Sequence, residues 1–474
     1  MKKICIFALF AIAVSSASTR PAELPAAEQA ALNRISPDSL RTNLAYLASD
    51  ELQGRDTPSP GLDLAADYIA AQFRRAGLEP AAQGHSYFQV AKFDRVETHM
   101  EGFRLVLESG EKRIDIPLNG ARVRSLVPLD LADAPVVALP ANGTIPPVSG
   151  AIVAGTLDRY GDEALLEELQ SRRPALILLF SKTVRYGRDT WFLDDLELHH
   201  APVIHIADTE ALAFLTAHPR FGMSLHLAQP TVKPAALRNV AGVLPGSDPV
   251  LKKQYLLITA HYDHLGRSPR GIFNGANDNG SGTVSVIEIA RALATLVPHP
   301  KRSLLFMTFF GEEEGLLGSY YYAHSPLVPL RDTVANINLE QMGRTDEKSG
   351  RRVLSFAFTG PSYSNLPAIM SRAAQAEGIG TWQIADGDSY FSRSDNYAFA
   401  LHGVVAHTIA VAADYPDYHA IGDTWQKIDY ANMANVDRGV AAGILRVADE
   451  PAAPRWSNSN AAAVYREAGG KQPF

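Results

Sequence analysis

The fold of this chain is decided by the stretch from His261 to Glu313, which reads HYDHLG at 261–266, NGANDNGSG at 274–282 and, at its end, GEEEGLLGS at 311–319. Two later motifs have the same character: NLEQMGR at 338–344 and DYHAIGDTW at 417–425. Each motif carries a histidine or a carboxylate that can bind a metal ion, and most of them follow an apolar run. This pattern favours a metal site over a packed core or a solvated face.

Strands and helices are predicted to alternate around these motifs. Continuous apolar strands between helices indicate an α/β fold, with a mostly parallel, mixed sheet and helices on both faces. Ligand sites in such sheets form at the carboxyl ends of the strands, where three of the motifs fall. The predicted elements are strands at 255–260, 303–310, 334–339 and 403–409, an amphipathic helix that begins near Ser281 and carries its apolar face to Val297, and helices at 363–378 and 428–447.

The segment at 96–235 is predicted to be a small inserted α/β domain, because proline and glycine punctuate its short apolar runs. Its adjacent His199 and His200 would point to opposite faces of a strand, so a two-histidine metal site is not expected there. Its predicted elements are strands at 151–155, 175–180 and 202–206 and helices at 161–171 and 209–217.

Two helices are predicted before the insert, at 36–48 and 62–76, with a polar turn at 50–55 between them. Ser36 is typical of a helix start and Gly77 of a helix end. The predicted domain organisation is a signal peptide at 1–17, the first part of the main domain at 18–95, the insert at 96–235, the rest of the main domain at 236–450 and a loosely attached tail at 451–474.

The composition is that of an ordinary soluble protein with more than one domain. The 474 residues are 46% hydrophobic and 20% charged, and the formal net charge is −7. This mild charge, without a run of lysine or arginine, gives no reason to expect a nucleic-acid partner.

Residues 1–17 are predicted to be a signal peptide that is cleaved after Ala17. Two lysines precede an apolar run at 4–14, which is shorter than the ~20 residues that span a bilayer. No other segment approaches that length, so a secreted or periplasmic protein without a membrane anchor is expected. The only cysteine, Cys5, lies in this segment, which excludes thiol catalysis and cysteine-bound zinc from the mature chain.

Five residues of the motifs form a candidate ligand set for two metal ions: His261, Asp278, Glu313, Glu340 and His419. Zinc binds histidine nitrogen and carboxylate oxygen, and two ions about 3.5–4 Å apart need two terminal ligands each and a bridging carboxylate. Asp278 is the natural bridge, because the small residues of its loop let the backbone fold tightly around two cations. Each motif is weak by itself, but their joint occurrence in this order is specific.

Three further carboxylates are expected to support this set. Glu312 is next to a ligand glutamate and points elsewhere, so it can act as a general base towards a bound water. Asp263 follows the first ligand histidine by two residues, and Asp423 follows the last by four. Each of them is placed to accept the second N–H of that histidine.

Together the motifs resemble peptidase family M28, the dinuclear zinc aminopeptidases, with an inserted protease-associated (PA) domain. The resemblance rests on AHYDHLG, GANDNGSG, GEEEGLLGS, NINLEQMGR and DYHAIGDTW, and it extends to LASDELQGRD and AADYIAAQFRRAGLEP near the amino terminus. It covers about 36–95 and 236–447 well, with RNVAGVLPGSDP similar to the usual re-entry into the catalytic domain. It covers the insert in outline.

The resemblance implies zinc as the cofactor and assigns the ligands in pairs. His261 and Glu340 would bind one ion, and Glu313 and His419 the other, with Asp278 between them. The peptide bond after Asp278 would be cis. Position 340 holds glutamate where many members have aspartate, so a one-metal state is the alternative to two zinc ions.

The resemblance also implies an exported exopeptidase, most simply an aminopeptidase that acts on peptides. Glu312 would take a proton from a metal-bridging water and pass it to the leaving amine, and Asp263 would support the first histidine. Tyr418, which precedes the last ligand, would match a tyrosine that hydrogen-bonds the tetrahedral oxyanion. A packed aromatic side chain is the equal alternative for Tyr418.

The segment DGDSYFSRSDNYAFA at 386–400 is predicted to line the substrate pocket. Asp386, Asp388 and Asp395 would give it negative character, which suits a substrate amine. Arg393 could instead clamp a substrate carboxylate if it is buried, or pair with one of the aspartates. A carboxypeptidase or dipeptidase of the same fold is therefore an alternative, as are a one-metal enzyme like glutaminyl cyclase and a non-catalytic binding protein. The complete ligand set and base disfavour the last of these.

Overall fold

In the computed structural model of the chain, the described residues are 24–161, 163–182, 190–193, 201–385 and 387–469. They form two compact units, one made by the chain up to Gln89 and from Arg238 onward, and the other by Val90–Leu237. Outside the described residues lie the predicted signal peptide with Cys5, the pair His199 and His200, and Asp386. Among the described residues, no helix combines the length and the apolar character that are needed to span a bilayer.

The elements are numbered in chain order over the described residues. The helices are α1 (Ala26–Leu32), α2 (Pro37–Leu47), α3 (Pro60–Ala76), α4 (Leu157–Tyr160), α5 (Glu163–Ser171), α6 (Thr209–Ala217), α7 (Gly282–Leu293), α8 (Leu317–His324), α9 (Leu366–Ala376), α10 (Asn396–Ala400), α11 (Tyr430–Asp449) and α12 (Ala463–Gly469). The strands are β1 (Glu79–Pro80), β2 (Phe88–Glu97), β3 (Arg104–Ser109), β4 (Lys112–Ile116), β5 (Ala121–Arg124), β6 (Leu129–Ala138), β7 (Ile152–Thr156), β8 (Leu176–Ser181), β9 (Thr190–Leu193), β10 (Val203–Ala207), β11 (Arg220–Leu227), β12 (Thr231–Leu244), β13 (Tyr255–His261), β14 (Gly266–Ser268), β15 (Gly271–Phe273), β16 (Ser303–Phe309), β17 (Thr333–Glu340), β18 (Ser355–Phe358), β19 (Gly380–Thr381) and β20 (Ala406–Ala410).

The larger unit is built on a mixed sheet whose strands lie in the order β19-β18-β20-β17-β13-β16-β12. Neighbours among β20, β17, β13 and β16 are parallel, whereas β12 and β18 run antiparallel to β16 and β20. Every residue of β16 and β20 is buried, so both faces of these strands are covered. The predicted fold class is confirmed. The four predicted strands are β13, β16, β17 and β20, and the two later predicted helices are α9 and α11.

The helices before the insert form as their sequences predict. The hydroxyl of Ser36 accepts the backbone N–H of Ser39 at the start of α2, where Pro37 is the first helical residue. Ser59 caps α3 in the same way. Helix α3 ends before Gly77, whose φ of +84° is the left-handed conformation that glycine adopts readily.

The predicted extent of the amphipathic helix is wrong at its carboxyl end. Helix α7 stops at Leu293, and Val297, which was expected on its apolar face, is 89% exposed. Pro298 follows, and a residue that precedes proline is disfavoured in a helix.

The prediction of a loosely attached tail is also wrong for the described part of that segment. Trp456 is buried, and its indole N–H donates to the carbonyl of Gly403 at 2.9 Å. Its ring centroid lies 5.3 Å from that of Tyr465 and 6.4 Å from that of Phe391. The segment after α11 is therefore docked on the larger unit through an aromatic cluster.

The smaller unit contains a second mixed sheet, with its strands in the order β4-β3-β11-β6-β7-β8-β10-β5. Strands β6, β7, β8 and β10 are parallel to their neighbours in this series. The predicted strands are present as β7, β8 and β10, and the helix predicted at 209–217 is α6. The helix predicted at 161–171 is α5, and the short α4 precedes it. The identification of this unit as a PA domain stays a prediction.

Candidate metal centre

The carboxyl ends of parallel strands bring the predicted ligands to one place. Strand β13 ends at His261 and β17 at Glu340, while β16 ends at Phe309, shortly before Glu312 and Glu313. Because these three strands run parallel, their ends lie at the same edge of the sheet.

Asp278 lies at the centre of the cluster and directs one oxygen towards each of two histidines. Its Oδ1 is 3.5 Å from Nε2 of His261, and that nitrogen is also 3.4 Å from Oε1 of Glu340. Its Oδ2 is 3.1 Å from Nε2 of His419, and that nitrogen is also 3.4 Å from Oε2 of Glu313. The five candidate ligands are thus in one cluster, and they divide into the two pairs that the resemblance implies.

The donor set fits metal ions. Apart from His419, the side chains of the five residues are at most 9% exposed. Three carboxylates buried this close together repel one another and require compensating positive charge. Zinc binds histidine nitrogen and carboxylate oxygen at about 2.0–2.2 Å, which places two ligand atoms of one ion about 3 Å apart. The nitrogen–oxygen separations in the cluster are of this size.

The pKa shifts show how strongly the cluster favours positive charge. Burial alone would lower the pKa of His419, but hydrogen bonds to Asp278 and Glu313 raise it to about 10. Burial alone would raise the pKa of Asp278, but His261 and His419 hold it well below its usual value. Burial and the charge of Asp278 would raise the pKa of Glu313, yet His264 and His419 lower it to about 2. The groups on both sides of Asp278 therefore favour the presence of positive charge.

Glu312 lies beside the His261 side of the cluster. Its Oε2 is 3.9 Å from Nε2 of His261, and its side chain is 13% exposed, more than those of Glu313 and Glu340. Burial and the neighbouring carboxylates raise its pKa well above the usual value, against the opposing charge of His261. Glu312 is thus a partly open carboxylate next to the buried donors.

Sequence reasoning missed His264, which belongs to the other side of the cluster. Its side chain is fully buried, and its Nδ1 is 2.8 Å from Oε1 of Glu313. Its ring meets the ring of His419 edge to face, with the centroids 5.7 Å apart. A signal was present, because His264 follows His261 by three residues in the same motif.

Asp263 connects two of the motifs. Its Oδ1 is 3.4 Å from Nδ1 of His261, although the backbone oxygen of Asp263 is nearer to that nitrogen, at 3.2 Å. Its carboxylate also accepts the backbone N–H groups of Glu312 at 3.1 Å and Glu313 at 3.3 Å. The hydroxyl of Thr57 donates to it at 3.3 Å. Asp263 therefore faces the first histidine and also fixes the turn that carries the two glutamates.

Asp423 supports the loop of Asp278 rather than the ring of His419, so the role predicted for it is corrected. Its carboxylate accepts the backbone N–H groups of Asn277 at 2.9 Å and Asp278 at 3.0 Å, and the hydroxyl of Tyr415 at 3.0 Å. The prediction relied on a spacing of four residues. Residues 416–422 form turns, in which residues four apart do not face the same way as they do in a helix.

The loop around Asp278 is joined to the loop that follows β17. Oδ1 of Asn277 accepts two backbone N–H groups, from residues 343 and 344, each at 2.9 Å. Oδ1 of Asn279 accepts the backbone N–H of Gln341 at 3.2 Å. The peptide bond between Asp278 and Asn279 is cis, as the resemblance implies. The loop of Asp278 and the loop that directly follows Glu340 therefore hold each other.

Arg55 is a second residue that sequence reasoning missed, because its motif reads as a polar turn. The side chain is 1% exposed. Its guanidinium donates to the backbone carbonyls of Tyr262 at 2.7 Å, Asn274 at 2.7 Å, Gly275 at 2.9 Å and Leu47. Burial lowers the pKa of Arg55 to about 10, against the charge of the nearby carboxylates. Arg55 thus joins the amino-terminal segment to the loops on both sides of the cluster.

Tyr418 is 46% exposed and stacks on His419, with the ring centroids 4.0 Å apart. Burial and the charge of Asp278 raise the pKa of its phenol, which therefore keeps its proton at neutral pH. His419 has a φ of +52°, a left-handed conformation that is uncommon for residues other than glycine and that clusters at functional sites.

The predicted pocket residues lie in different environments. Asp395 is fully buried, and burial raises its pKa to about 7. Asp388 and Arg393 are exposed, and the guanidinium of Arg393 lies 4.8 Å from the ring centroid of Tyr390. The buried arginine that a carboxylate clamp requires is therefore not Arg393, and this alternative is corrected.

The pocket segment reaches the cluster through Ser394. Its hydroxyl donates to Oε1 of Glu340 at 2.5 Å. It is itself 2.8 Å from Nδ2 of Asn338, which donates to it from β17. The segment at 387–400 therefore orients one of the candidate ligands.

Curated relatives of the chain include aminopeptidases and a protease. The aminopeptidase YwaD of Bacillus subtilis (strain 168) is 34% identical over 169 residues, which are 35% of this chain and 34% of YwaD. A vacuolar membrane protease of Verticillium alfalfae is 39% identical over 203 residues, which are 42% of this chain and 18% of that protein. The chain thus spans about a third of the length of YwaD and about a fifth of the length of the vacuolar membrane protease. The probable lipoprotein aminopeptidase LpqL of Mycobacterium tuberculosis is 24% identical over 465 residues, which are 91% of this chain and 89% of LpqL.

Solved structures with this fold include two aminopeptidases. The aminopeptidase from Aneurinibacillus sp. strain AM-1 has a TM-score of 0.62 at 20% identity, over 91% of this chain and 97% of that chain. BSAP, a zinc aminopeptidase from Bacillus subtilis, has a TM-score of 0.50 at 18% identity, over 90% of this chain and 97% of that chain. The family model of peptidase family M28 matches residues 239–444, which contain the five candidate ligands. The part of the chain that carries the candidate metal centre is therefore similar to peptidase family M28.

Proposed function

We propose that the chain is an exported zinc-dependent exopeptidase, specifically an aminopeptidase that removes N-terminal residues from peptides. The observation that carries this proposal is the pair of donor sets on the two oxygens of Asp278. The M28 match and the names of YwaD and LpqL agree with it. The signal peptide at 1–17 and the PA-type insert at 96–235 stay predictions from the sequence.

In this function His261 and Glu340 would hold one zinc ion and Glu313 and His419 the other, with Asp278 between the two pairs. Zinc at such a site polarises a carbonyl and makes water a nucleophile at neutral pH. A single bound ion is the alternative, and the zinc content of the purified protein distinguishes the two.

Glu312 is the proposed proton acceptor and donor. Its carboxylate takes a proton from the attacking water as the new C–O bond forms, and gives that proton to the amine nitrogen as the C–N bond breaks. Two observations support this role: Glu312 is more open than the buried glutamates beside it, and Asp263 fixes its backbone. A positioned acid–base group of this kind contributes about 10²–10⁴-fold to the rate.

Tyr418 is the proposed hydrogen-bond donor to the oxyanion of the tetrahedral intermediate. It keeps its proton and is stacked on His419. Tyr418→Phe should lower kcat about 10²-fold while the zinc content stays unchanged. A packed aromatic side chain without this role would give a variant with nearly full activity.

The preference for the amino end rests on charge. The carboxylates of the cluster, together with the buried Asp395, make the site a suitable place for a substrate ammonium group. A carboxypeptidase needs a cation for the substrate carboxylate, and the arginine considered for that role is exposed over Tyr390. The aminopeptidase proposal therefore has the better support.

A mass-spectrometric time course tests the proposal. The zinc-loaded protein is given one mixed-sequence peptide in free and N-acetylated forms, with and without chelator. Stepwise loss of residues from the free amino end alone, abolished by chelator, is expected. Loss from the carboxyl end of both forms would replace the assignment by carboxypeptidase, and no cleavage of either form by zinc-loaded protein would reject a general peptidase.

A matched pair of variants tests the role of Glu312. Glu312→Gln should lose activity about 10²–10⁴-fold and keep its zinc. Glu314→Gln removes a carboxylate from the same turn and should retain activity. Equal losses in the two variants would show that the turn, and not the proton acceptor, is what matters.

A further inference from the structure

The position of the His264 ring in the cluster depends on a glycine in the neighbouring loop. It lies on the loop after β13, and its ring packs directly against Gly275, in the loop that leads to Asp278. A Cβ at position 275 would lie 2.4 Å from Cγ of His264, and Gly275 has a φ of +56°. Glycine at 275 therefore leaves the space in which this ring sits.

The contact between His264 and Glu313 is short but lacks the alignment of a hydrogen bond. Nδ1 of His264 is 2.8 Å from Oε1 of Glu313. Among the described residues, neither ring nitrogen of His264 nor this oxygen has a hydrogen-bond partner of acceptable geometry. A fully buried imidazole without such a partner is costly. Two ligands of one cation have this geometry, because their donor atoms are close together but the lone pair of each is directed at the ion.

We propose that His264 is an additional ligand of the metal position formed by Asp278, Glu313 and His419. Ligand atoms of His264, Asp278 and Glu313 lie within 4.8 Å of one another, a spacing that can hold a metal ion. The proposal rests on the zinc site of the proposed function and deepens it.

The consequence is that the two metal positions are unequal. One has two histidines and two carboxylates, whereas the other has His261 with Asp278 and Glu340. Imidazole is a better donor for zinc than for harder ions such as magnesium and calcium, which prefer oxygen ligands. The two-histidine position therefore fills first and holds zinc more tightly, and the other position exchanges its metal more readily.

X-ray absorption of the wild-type protein tests this directly. The full chain is freed of metal with chelator and given one equivalent of zinc. The outer-shell scattering is expected to show two imidazoles at the ion, with Zn–N distances of about 2.0–2.1 Å. A single imidazole per ion at one equivalent, and again at two equivalents, would overturn the proposal, because neither position would then hold two histidines.

Zinc affinity of a variant gives an independent measurement. In competition with a chromophoric chelator, His264→Ala should weaken the first zinc at least about 100-fold, the upper end of the effect of an outer-shell partner. His226→Ala, which removes an exposed histidine of the other unit, should change nothing. Unchanged affinity in a folded His264→Ala protein would overturn the proposal, and if that variant does not fold, the absorption measurement decides.

The outcomes separate this proposal from the proposed function. A wild-type protein that binds no zinc would reject both. A protein that binds zinc and cleaves peptides, with one imidazole per ion at both zinc loadings, would reject only the role of His264.

Discussion

Replacing Arg55 by methionine should loosen the metal centre together with the fold. The guanidinium donates to four buried carbonyls, of which those of Asn274 and Gly275 precede Asp278 and that of Tyr262 follows His261. Methionine fills a similar apolar path but donates no hydrogen bond, so these carbonyls lose the guanidinium, and within the described part of the chain only that of Gly275 keeps another donor, the backbone N–H of Gly280.

The magnitude follows from two opposing contributions. A hydrogen bond that involves a charged group contributes about 1.5 kcal/mol or more, so four of them contribute about 6 kcal/mol. The fall of the pKa of Arg55 from 12.5 to about 10 corresponds to a net cost of about 3 kcal/mol for the charged side chain, which is the cost of burial less the attraction of the nearby carboxylates. The expected net loss for Arg55→Met is therefore about 3 kcal/mol, with a further weakening of zinc binding because both supported loops carry candidate ligands.

Urea denaturation of the zinc-free protein measures the free energy of unfolding, and competition with a chelator measures zinc affinity. Arg55→Lys keeps the charge, but one ammonium group cannot reach all four carbonyls, so an intermediate loss is expected. Arg75→Met removes an exposed arginine of α3 and should change stability by less than about 0.5 kcal/mol. A loss below about 1 kcal/mol in Arg55→Met, with unchanged zinc affinity, would refute this reasoning.

Three other predictions address features away from the reacting groups. Burial raises the pKa of Asp437, beside the hydroxyl of Ser285, to about 8, so the folded state keeps a proton that the unfolded state releases near pH 4. The stability from this proton is full below about pH 4 and is lost as the pH rises to about 8. Asp437→Asn should therefore flatten the plot of the free energy of unfolding, measured in urea, against pH in that range. An unchanged slope would contradict this prediction. Asp423→Asn weakens an acceptor of the backbone N–H groups of Asn277 and Asp278, so zinc affinity should fall about 10–100-fold, and equal affinity would count against the assigned contact. Trp456→Ala should destabilise the protein by about 3 kcal/mol and expose the segment after α11 to limited proteolysis, whereas a segment that still resists protease would show that other contacts hold it.

The strands and the candidate ligands could be predicted because their signals are local. Strands β13, β16 and β17 are continuous apolar runs, and each is followed at once by a motif with a donor side chain. Parallel topology then brings the ends of these strands together. The proximity of His261, Glu340 and Glu313 therefore follows from the pattern before any contact is seen.

The residues that were missed or misassigned depend on distant partners or on loop direction. Arg55 is buried because carbonyls from two remote loops surround it, and nothing in its own polar turn records them. His264 and Asp423 lie in irregular backbone, where spacing does not determine which way a side chain points. The docking of the tail depends on Trp456, which the average composition of that segment conceals.

The loop of Asp278 is held from two directions, by Arg55 from near the beginning of the chain and by Asp423 from near its end. Contacts between such remote segments close the longest loops and are slow to form. During synthesis, a chain that has not yet emerged as far as Asp423 lacks one of the two supports, whatever zinc concentration surrounds it. The loop of Asp278 can therefore reach its fully supported state only after the segment that carries Asp423 has been synthesised.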